Sequence, residues 1–184
     1  MSMLSDPPLI HRSFQKADAA SEAIYSPDET YRYALTRVWD GSLPRVAFVM
    51  LNPSKATEVQ NDPTIERCER RARALGYGGF RAVNIFALRE TDPAKMRRHP
   101  APEGPANRAT LRAACDWADV VIAAWGAHGA HLEQGAKIEN FLFETGAKIY
   151  HFGLTKHGHP RHPLYVAYAQ QPIRWEAPPH EPQP

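Results

Sequence analysis

The chain has 184 residues, a length that suits a single domain with a sizeable core. Hydrophobic residues make up 43% and charged residues 23%, which excludes a mostly disordered protein, and a net charge of +2 does not by itself indicate a nucleic-acid or membrane partner. No apolar run approaches the roughly 20 residues of a membrane span. Residues 1–12 also lack the features of a signal peptide, so we expect a cytoplasmic protein.

The predicted elements begin after residues 1–20, a polar segment that we expect to be a loosely held N-terminal arm. Residues 22–25 and 30–39 flank a favourable turn sequence at 26–29, and the second segment alternates with a period of two. This pattern predicts an antiparallel hairpin. The apolar run from Val46 to Leu51 then predicts a strand that is buried on both faces.

Three helix–strand pairs follow this central strand. Asp62 and Pro63 predict the start of the first helix, which precedes a strand at 80–88. After a proline-rich loop at 91–105, Asn107 is predicted to cap the second helix, which precedes a strand at 120–125. A third helix precedes a strand at 148–154, and a short helix at 164–168 ends the series.

This alternation predicts a three-layer α/β/α sandwich whose four-stranded, mostly parallel sheet is extended by the N-terminal antiparallel hairpin. The predicted α/β domain covers residues 21–175, and a proline-rich, disordered tail is expected at 176–184. Cys68 and Cys115 fall in predicted helices and are interpreted as buried free thiols. Right-handed crossovers would place the carboxyl ends of all four parallel strands at one edge of the sheet.

Polar or conformationally special residues follow each of these strands, and we therefore predict a crevice at that edge. Asn52, after the central strand, could present its amide to a ligand or orient an attacking water. The alternative is an Asn-Pro turn that bonds to its own backbone. Ser54 lacks the G-x-S-x-G surroundings of a nucleophilic serine. Asn84 is polar within a buried strand and must find partners there, either in a neighbouring turn or in a ligand.

Three further strand-end residues have both a functional and a structural interpretation. Arg89 could bind a phosphate or carboxylate through two hydrogen bonds, or it could pair with a nearby acidic side chain. Trp125 could stack on a planar ligand or pack in the core. Gly126 would allow a ligand to approach the backbone closely, and it fits a tight turn equally well.

Three histidines, His157, His159 and His162, lie in the loop after the fourth strand. Such a group could hold zinc, or one member could act as a general acid or base. The loop lacks cysteine and is extended by prolines, so we predict no metal and favour one functional histidine, with His159 first because Pro160 fixes its setting. No cofactor is predicted, because the glycine-rich stretch at 76–79 precedes a strand rather than a helix.

The motifs that carry a family resemblance are MLNPS at 50–54, NDPTI at 61–65, GYGG at 76–79, VNIFALR at 83–89, WG at 125–126 and GLTKHGHPRHPLY at 153–165. In these motifs the chain, from about residue 25 to 175, resembles the bacterial domain-of-unknown-function family sixteen-forty-three. That family has no established activity, so the resemblance implies no particular reaction.

A looser resemblance is to the uracil-DNA glycosylase superfamily. Its four strand-end motifs are similar, in their order, to Asn52-Pro53, Asn84, Trp125-Gly126 and His159-Pro160. The resemblance implies a uracil-DNA-glycosylase-like fold in which Asn52 orients a water, Asn84 lies near the base-reading pocket and His159 stabilises the leaving base.

Two functions are therefore predicted as alternatives. In the first, the crevice binds a nucleobase, nucleotide or nucleic acid, with glycosylase-like hydrolysis catalysed by Asn52 and His159. The ligand-binding residues would be Pro53, Ser54, Asn84, Phe86, Arg89, Trp125, Gly126, Lys156 and His162. In the second, a non-catalytic module binds a small anionic ligand or a protein partner, with Arg89 and Lys156 as anchors. Neither alternative involves a membrane, and the sequence indicates no particular oligomeric state.

Overall fold

The computed structural model describes residues 8–179. Its strands are β1 (Ile10–Lys16), β2 (Ala19–Tyr25), β3 (Arg32–Val38), β4 (Arg45–Met50), β5 (Gly79–Asn84), β6 (Val120–Ala123), β7 (Ile149–His151) and β8 (Ile173–Arg174). Its α-helices are α1 (Pro63–Ala74), α2 (Pro93–Arg98), α3 (Asn107–Trp117) and α4 (Gln134–Glu144). The protein is a mixed α/β protein.

One sheet of eight strands, in the order β1-β2-β3-β5-β4-β6-β7-β8, organises the chain. Parallel pairing joins β4 to β5 and β6, and joins β6 to β7, so the carboxyl ends of these strands share an edge. The pairs β1–β2, β2–β3, β3–β5 and β7–β8 are antiparallel. The predicted sheet of four mostly parallel strands extended by one antiparallel hairpin is therefore too small, because β1 and β8 add a further strand at each end.

The strand β1 corrects the prediction of a loosely held arm at 1–20. Residues 10–16 pair along their whole length with β2, from Ile10 opposite Tyr25 to Lys16 opposite Ala19. The strand lies at the edge of the sheet and none of its residues is buried. It consequently lacks the apolar alternation that identifies a strand in a sequence. Residues 1–7 of the predicted arm lie outside the described part of the chain.

Two hydrophobic cores lie on opposite faces of the sheet, because alternate residues of β4 belong to different clusters. Ala47 and Val49 pack with side chains of α3 and α4, whereas Val46, Phe48 and Met50 pack with side chains of α1. Helices thus cover both faces. Cys68 and Cys115 are free and buried, as predicted.

The first residues of the helices show which local sequence signals were sufficient to predict a helix start. The carboxylate of Asp62 accepts the Ile65 N–H at 2.9 Å and Pro63 is the first helical residue, as predicted. Asn107 is not the cap of α3 but its first residue, and its amide donates to the Asn84 carbonyl at 2.9 Å. The helix α2 lies within the predicted loop at 91–105, and Asp92 caps it.

The structure differs from three smaller predictions about residues near the strand ends. The second parallel strand stops at Asn84 and the fourth covers only Ile149–His151, because both then bend into loops. The predicted last helix at 164–168 is a 3₁₀ turn, Pro163–Tyr165. Residues 176–179 have no regular secondary structure, and residues 180–184 of the predicted tail lie outside the described part.

Candidate ligand-binding crevice

A cavity of about 770 Å³ lies at the carboxyl edge of the parallel strands, and we call it the crevice. Segments that follow β4, β5, β6 and β7 all contribute to its wall, together with the first turn of α1. Its lining residues are Leu51, Asn52, Ser54, Lys55, Asp62, Pro63, Thr64, Glu90, Thr91, Pro93, Trp125, Gly126, Ala127, His128, Thr155, Arg161, His162, Leu164 and Tyr165. A volume of this size accommodates a ligand as large as a nucleoside.

The crevice brings together five of the residues selected from the sequence, namely Asn52, Ser54, Trp125, Gly126 and His162. The other six do not line it, namely Pro53, Asn84, Phe86, Arg89, Lys156 and His159. Proximity in the chain to a strand end was therefore not sufficient to reach the cavity.

The side-chain nitrogen of Asn52 donates hydrogen bonds to backbone carbonyl groups of the protein. Nδ2 donates to the carbonyl oxygens of Glu90 at 2.7 Å, Pro53 at 3.1 Å and Leu88 at 3.2 Å. These bonds fix the amide plane and join the loop after β4 to the segment after β5. Within residues 8–179, Oδ1 has no such partner. Asn52 can therefore offer its Oδ1 atom to a water or a ligand as a hydrogen-bond acceptor.

His162 is held in a defined orientation. Its Nδ1 accepts the Leu164 N–H at 3.3 Å, which assigns the proton of the neutral ring to Nε2. Burial lowers the pKa of His162 to about 4, even though the charge of Asp62 acts in the opposite direction. At neutral pH the ring is consequently uncharged, and its Nε2–H is a hydrogen-bond donor.

The hairpin that precedes His162 explains why His159 is elsewhere. Leu154 and Pro160 form an antiparallel bridge, and Gly126 N–H donates to the Pro160 carbonyl at 2.7 Å. His159 and Lys156 lie on this hairpin and do not line the crevice, whereas the chain reaches the crevice at Arg161 and His162. The position of His159 therefore does not support the prediction that it is the functional histidine of this loop.

Tyr165 is the aromatic side chain that the crevice leaves open. It is 81% exposed, and its ring centroid lies 6.0 Å from that of His162. Trp125 is only 1% exposed and packs against Trp175 at 5.9 Å, and Phe86 is fully buried. Tyr165 was not selected from the sequence, because apolar spacing in a short segment does not reveal which ring stays uncovered.

Two arginines of α1 support the wall that carries His162 and Tyr165. Arg67 donates to the carbonyl oxygens of Pro163 at 3.0 Å and Val166 at 2.6 Å. Arg71 donates to Val166 O at 3.0 Å, and its guanidinium lies 4.4 Å from the centroid of the Phe152 ring. These charged groups bind backbone oxygens rather than carboxylates, so they fix the segment after the hairpin against α1.

The charges around the crevice are mixed. Lys55 and Arg161 are cationic lining residues, and Asp62 and Glu90 are acidic ones. The carboxylate of Asp62 already accepts two backbone N–H groups, from Ile65 at 2.9 Å and Ala56 at 3.2 Å. Its oxygens therefore stabilise the start of α1 and the preceding loop.

Asn84 remains an unpaired polar residue. It is 1% exposed, and within residues 8–179 neither its Nδ2 nor its Oδ1 has a hydrogen-bond partner. It lies beside Met50 in the β4–β5 register, one position before Leu51 of the crevice. A buried amide without hydrogen-bond partners costs free energy, so Asn84 is an unfavourable residue for the core.

The described residues include no group of three histidine, cysteine, aspartate or glutamate side chains that could hold a metal ion. The three loop histidines accordingly do not form such a group. Between residues 8 and 179, no helix has the length and apolar character needed to cross a membrane.

Comparison with known proteins gives a family and no activity. A sequence model of the family described as "Protein of unknown function (DUF1643)" matches residues 32–164, which include all of the crevice except Tyr165. No curated protein and no solved structure matches the chain.

Proposed function

The chain belongs to this family of proteins of unknown function, and we propose that its crevice binds the base of a nucleoside, nucleotide or nucleic acid. One observation carries the proposal: the exposed ring of Tyr165 lies beside the ring of His162 at the rim of a cavity of about 770 Å³. An open aromatic ring next to a cavity is suited to stacking on a flat base.

The hydrogen-bonding groups of the crevice support a base rather than a purely anionic ligand. Nε2–H of His162 is an uncharged donor, and Oδ1 of Asn52 is an uncharged acceptor. Ser54 and Thr91 add hydroxyl groups that lie 3.0 Å apart. The edges of nucleobases present donors and acceptors that pair with such neutral groups.

Binding of nucleosides tests this proposal. We expect at least one of uridine, cytidine, adenosine and guanosine to bind in isothermal titration calorimetry. Replacing Tyr165→Ala should weaken that binding by about tenfold or more, because base–aromatic stacking contributes about 1–3 kcal/mol. Phe14→Ala is the matched control, since Phe14 is an exposed aromatic residue of β1 that does not line the crevice. Equal affinities of the two variants would contradict the proposal.

A second candidate function is hydrolysis of an N-glycosidic bond, which is favoured because Asn52 and His162 line the same crevice. In this reaction Oδ1 of Asn52 orients a water for attack on the sugar carbon, and Nε2–H of His162 stabilises the departing base. The order of the four strand-end motifs supports a glycosylase-like arrangement of the parallel strands. The role that the resemblance assigned to His159 passes to His162, which lines the crevice.

Chromatographic detection of released base tests hydrolysis. The substrates are the nucleosides above and a uracil-containing single-stranded oligonucleotide. Asn52→Ala should lower the rate by roughly 100-fold, since a single oriented polar group commonly contributes that much. Asn140→Ala changes an exposed asparagine of α4 and should leave the rate intact. If no substrate releases its base, hydrolysis is excluded for them and the binding proposal is judged by calorimetry alone.

A further inference from the structure

A second depression adjoins the crevice, has a volume of about 650 Å³, and shares Ser54 and Lys55 with it. Arg89 and Thr30 form part of its opposite wall. We call it the anion depression. It contains Arg89, which the sequence suggested as a ligand-binding residue and which the crevice itself does not include.

The guanidinium of Arg89 is fixed in position but has donors to spare. It lies 5.1 Å from the centroid of the Tyr25 ring, and Nη1 donates a long hydrogen bond of 3.4 Å to the Glu29 carbonyl. Within residues 8–179, no carboxylate lies within ion-pairing distance of Arg89 or of Lys55. A guanidinium carries five N–H donors, so most of those of Arg89 are available to an anion.

The acidic side chains nearby are already engaged. Glu29 lines the depression, but its carboxylate forms an ion pair with Arg12, and this hydrogen bond lowers the pKa of Glu29. Glu58 accepts the hydroxyl of Tyr25 at 2.8 Å. Asp28 accepts the hydroxyl of Thr30 at 2.8 Å. The ion pair with Arg12 offsets the charge of Glu29, whereas the hydroxyl partners of Glu58 and Asp28 are neutral and leave those two charges in place.

A buried guanidinium next to the depression adds to that potential. Arg32 is 1% exposed, and its Nη1 donates to the Ala56 carbonyl at 2.8 Å. No carboxylate of the described residues forms an ion pair with it, and Nε has no partner there. Burial lowers the pKa of Arg32 to about 10, the charge of Asp62 acts in the opposite direction, and the charge of Arg89 lowers the pKa to a smaller extent. Arg32 is still cationic at neutral pH, so an anion near Arg89 would relieve repulsion between the two arginines.

We propose that the anion depression binds a phosphoryl group, and that Arg89 and Lys55 are its recognition residues. Arg89 would bind two phosphate oxygens through its planar fork, and Lys55 would contribute a point charge. Because Ser54 and Lys55 line both cavities, a ligand whose base lies in the crevice can extend its phosphate into the depression. This joint occupancy rests on the proposed function, whereas the phosphate site itself does not.

Calorimetry with separate parts of a nucleotide tests the inference. The probes are inorganic phosphate, the four nucleosides and their 5′-monophosphates, each titrated into the full chain. For any nucleoside that binds, we expect its monophosphate to bind about tenfold more tightly, since charge-assisted hydrogen bonds to the phosphate add to the contacts of the base. Arg89→Gln should remove that gain in affinity and should weaken the binding of inorganic phosphate to a similar extent. Increasing salt should gradually lower the affinity of the wild-type protein for phosphate.

Two further variants keep the test decisive. Lys55→Gln changes an exposed side chain, so it tests the site even if Arg89→Gln does not fold, and it should also reduce the gain from the phosphate. Arg98→Gln removes an equal charge from exposed α2 and should change nothing. Equal phosphate affinity in wild type, Arg89→Gln and Lys55→Gln would overturn the inference, as would monophosphates that bind no tighter than their nucleosides.

The outcome separates this inference from the proposed function. If phosphate binds in an Arg89-dependent manner and no nucleoside binds, the phosphate site stands and the base-binding proposal fails. If nucleosides bind in a Tyr165-dependent manner and phosphate adds nothing, the base-binding proposal stands and this inference fails. A longer oligonucleotide that binds no tighter than a monophosphate would identify a single nucleotide as the source of the phosphoryl group.

Discussion

Substitution of Gly126→Ala should destabilise the protein and disturb the crevice together. Gly126 has φ +75° and ψ −174°, a backbone conformation that is essentially restricted to glycine. A methyl group there would meet the Cβ atom of His162 at 3.3 Å, closer than a comfortable contact. The backbone strain costs about 1–3 kcal/mol, and the contact adds to it. We expect a loss of about 2–3 kcal/mol in the free energy of unfolding.

Gly146→Ala is the matched control for this measurement. Gly146 also has φ +75°, but no atom of the described residues beyond its two chain neighbours lies within 4 Å of the position that a methyl group would occupy. Gly146→Ala should therefore lower the free energy of unfolding only by the cost of the left-handed backbone conformation, about 1 kcal/mol. Urea unfolding followed by circular dichroism gives both values, and nucleoside titration shows whether His162 has moved. If Gly126→Ala were no more destabilising than Gly146→Ala, the packing between the Trp125–Gly126 turn and His162 would be refuted.

Two further predictions concern the wall that His162 and residues 163–168 form. Since its pKa is lowered from 6.5 to about 4, His162 stabilises the fold above about pH 6.5, and this contribution is lost as the pH falls to about 4. Urea unfolding should show that His162→Gln lacks about 3 kcal/mol of the pH dependence in that window, because a pKa difference of one corresponds to about 1.4 kcal/mol. An unchanged profile would exclude a ring that folding keeps neutral. Arg67→Met should speed amide hydrogen exchange in residues 163–168 by about tenfold, because two hydrogen bonds to the backbone are lost. Arg70→Met is the control, because it removes only an exposed ion pair with Glu66 on the same helix and should lower the free energy of unfolding by less than about 0.5 kcal/mol. Equal rates of amide hydrogen exchange in both variants would exclude the supporting role of Arg67.

Local signals in the sequence were sufficient for much of the fold. Asp62 and Pro63 form a helix start whose hydrogen bonds are made within three residues, so neighbouring sequence determines it. The apolar run of β4 likewise reports burial on both faces. The edge strands carry no such information, because β1 is exposed and β8 has two residues, Ile173 and Arg174. Their pairing depends on partners far along the chain.

The residues of the candidate site were harder to predict than the fold, because their positions depend on contacts between distant parts of the chain. The strand ends indicated the edge of the sheet at which the crevice lies, and Asn52 and Gly126 line the crevice there. The choice between His159 and His162 could not be made from spacing, because it depends on the bridge between Leu154 and Pro160. Arg89 was selected for its chemistry, but the chain places it in the adjoining anion depression.

A nucleoside titration followed by the backbone amide signals in nuclear magnetic resonance tests the central proposal most directly. We predict that the largest shifts belong to the crevice segments, at residues 52, 54, 55, 64, 126–128, 161, 162, 164 and 165. We also predict that these shifts weaken in Tyr165→Ala. The absence of shifts with every nucleoside, or shifts concentrated near Phe14 and the rest of β1, would contradict a base-binding crevice.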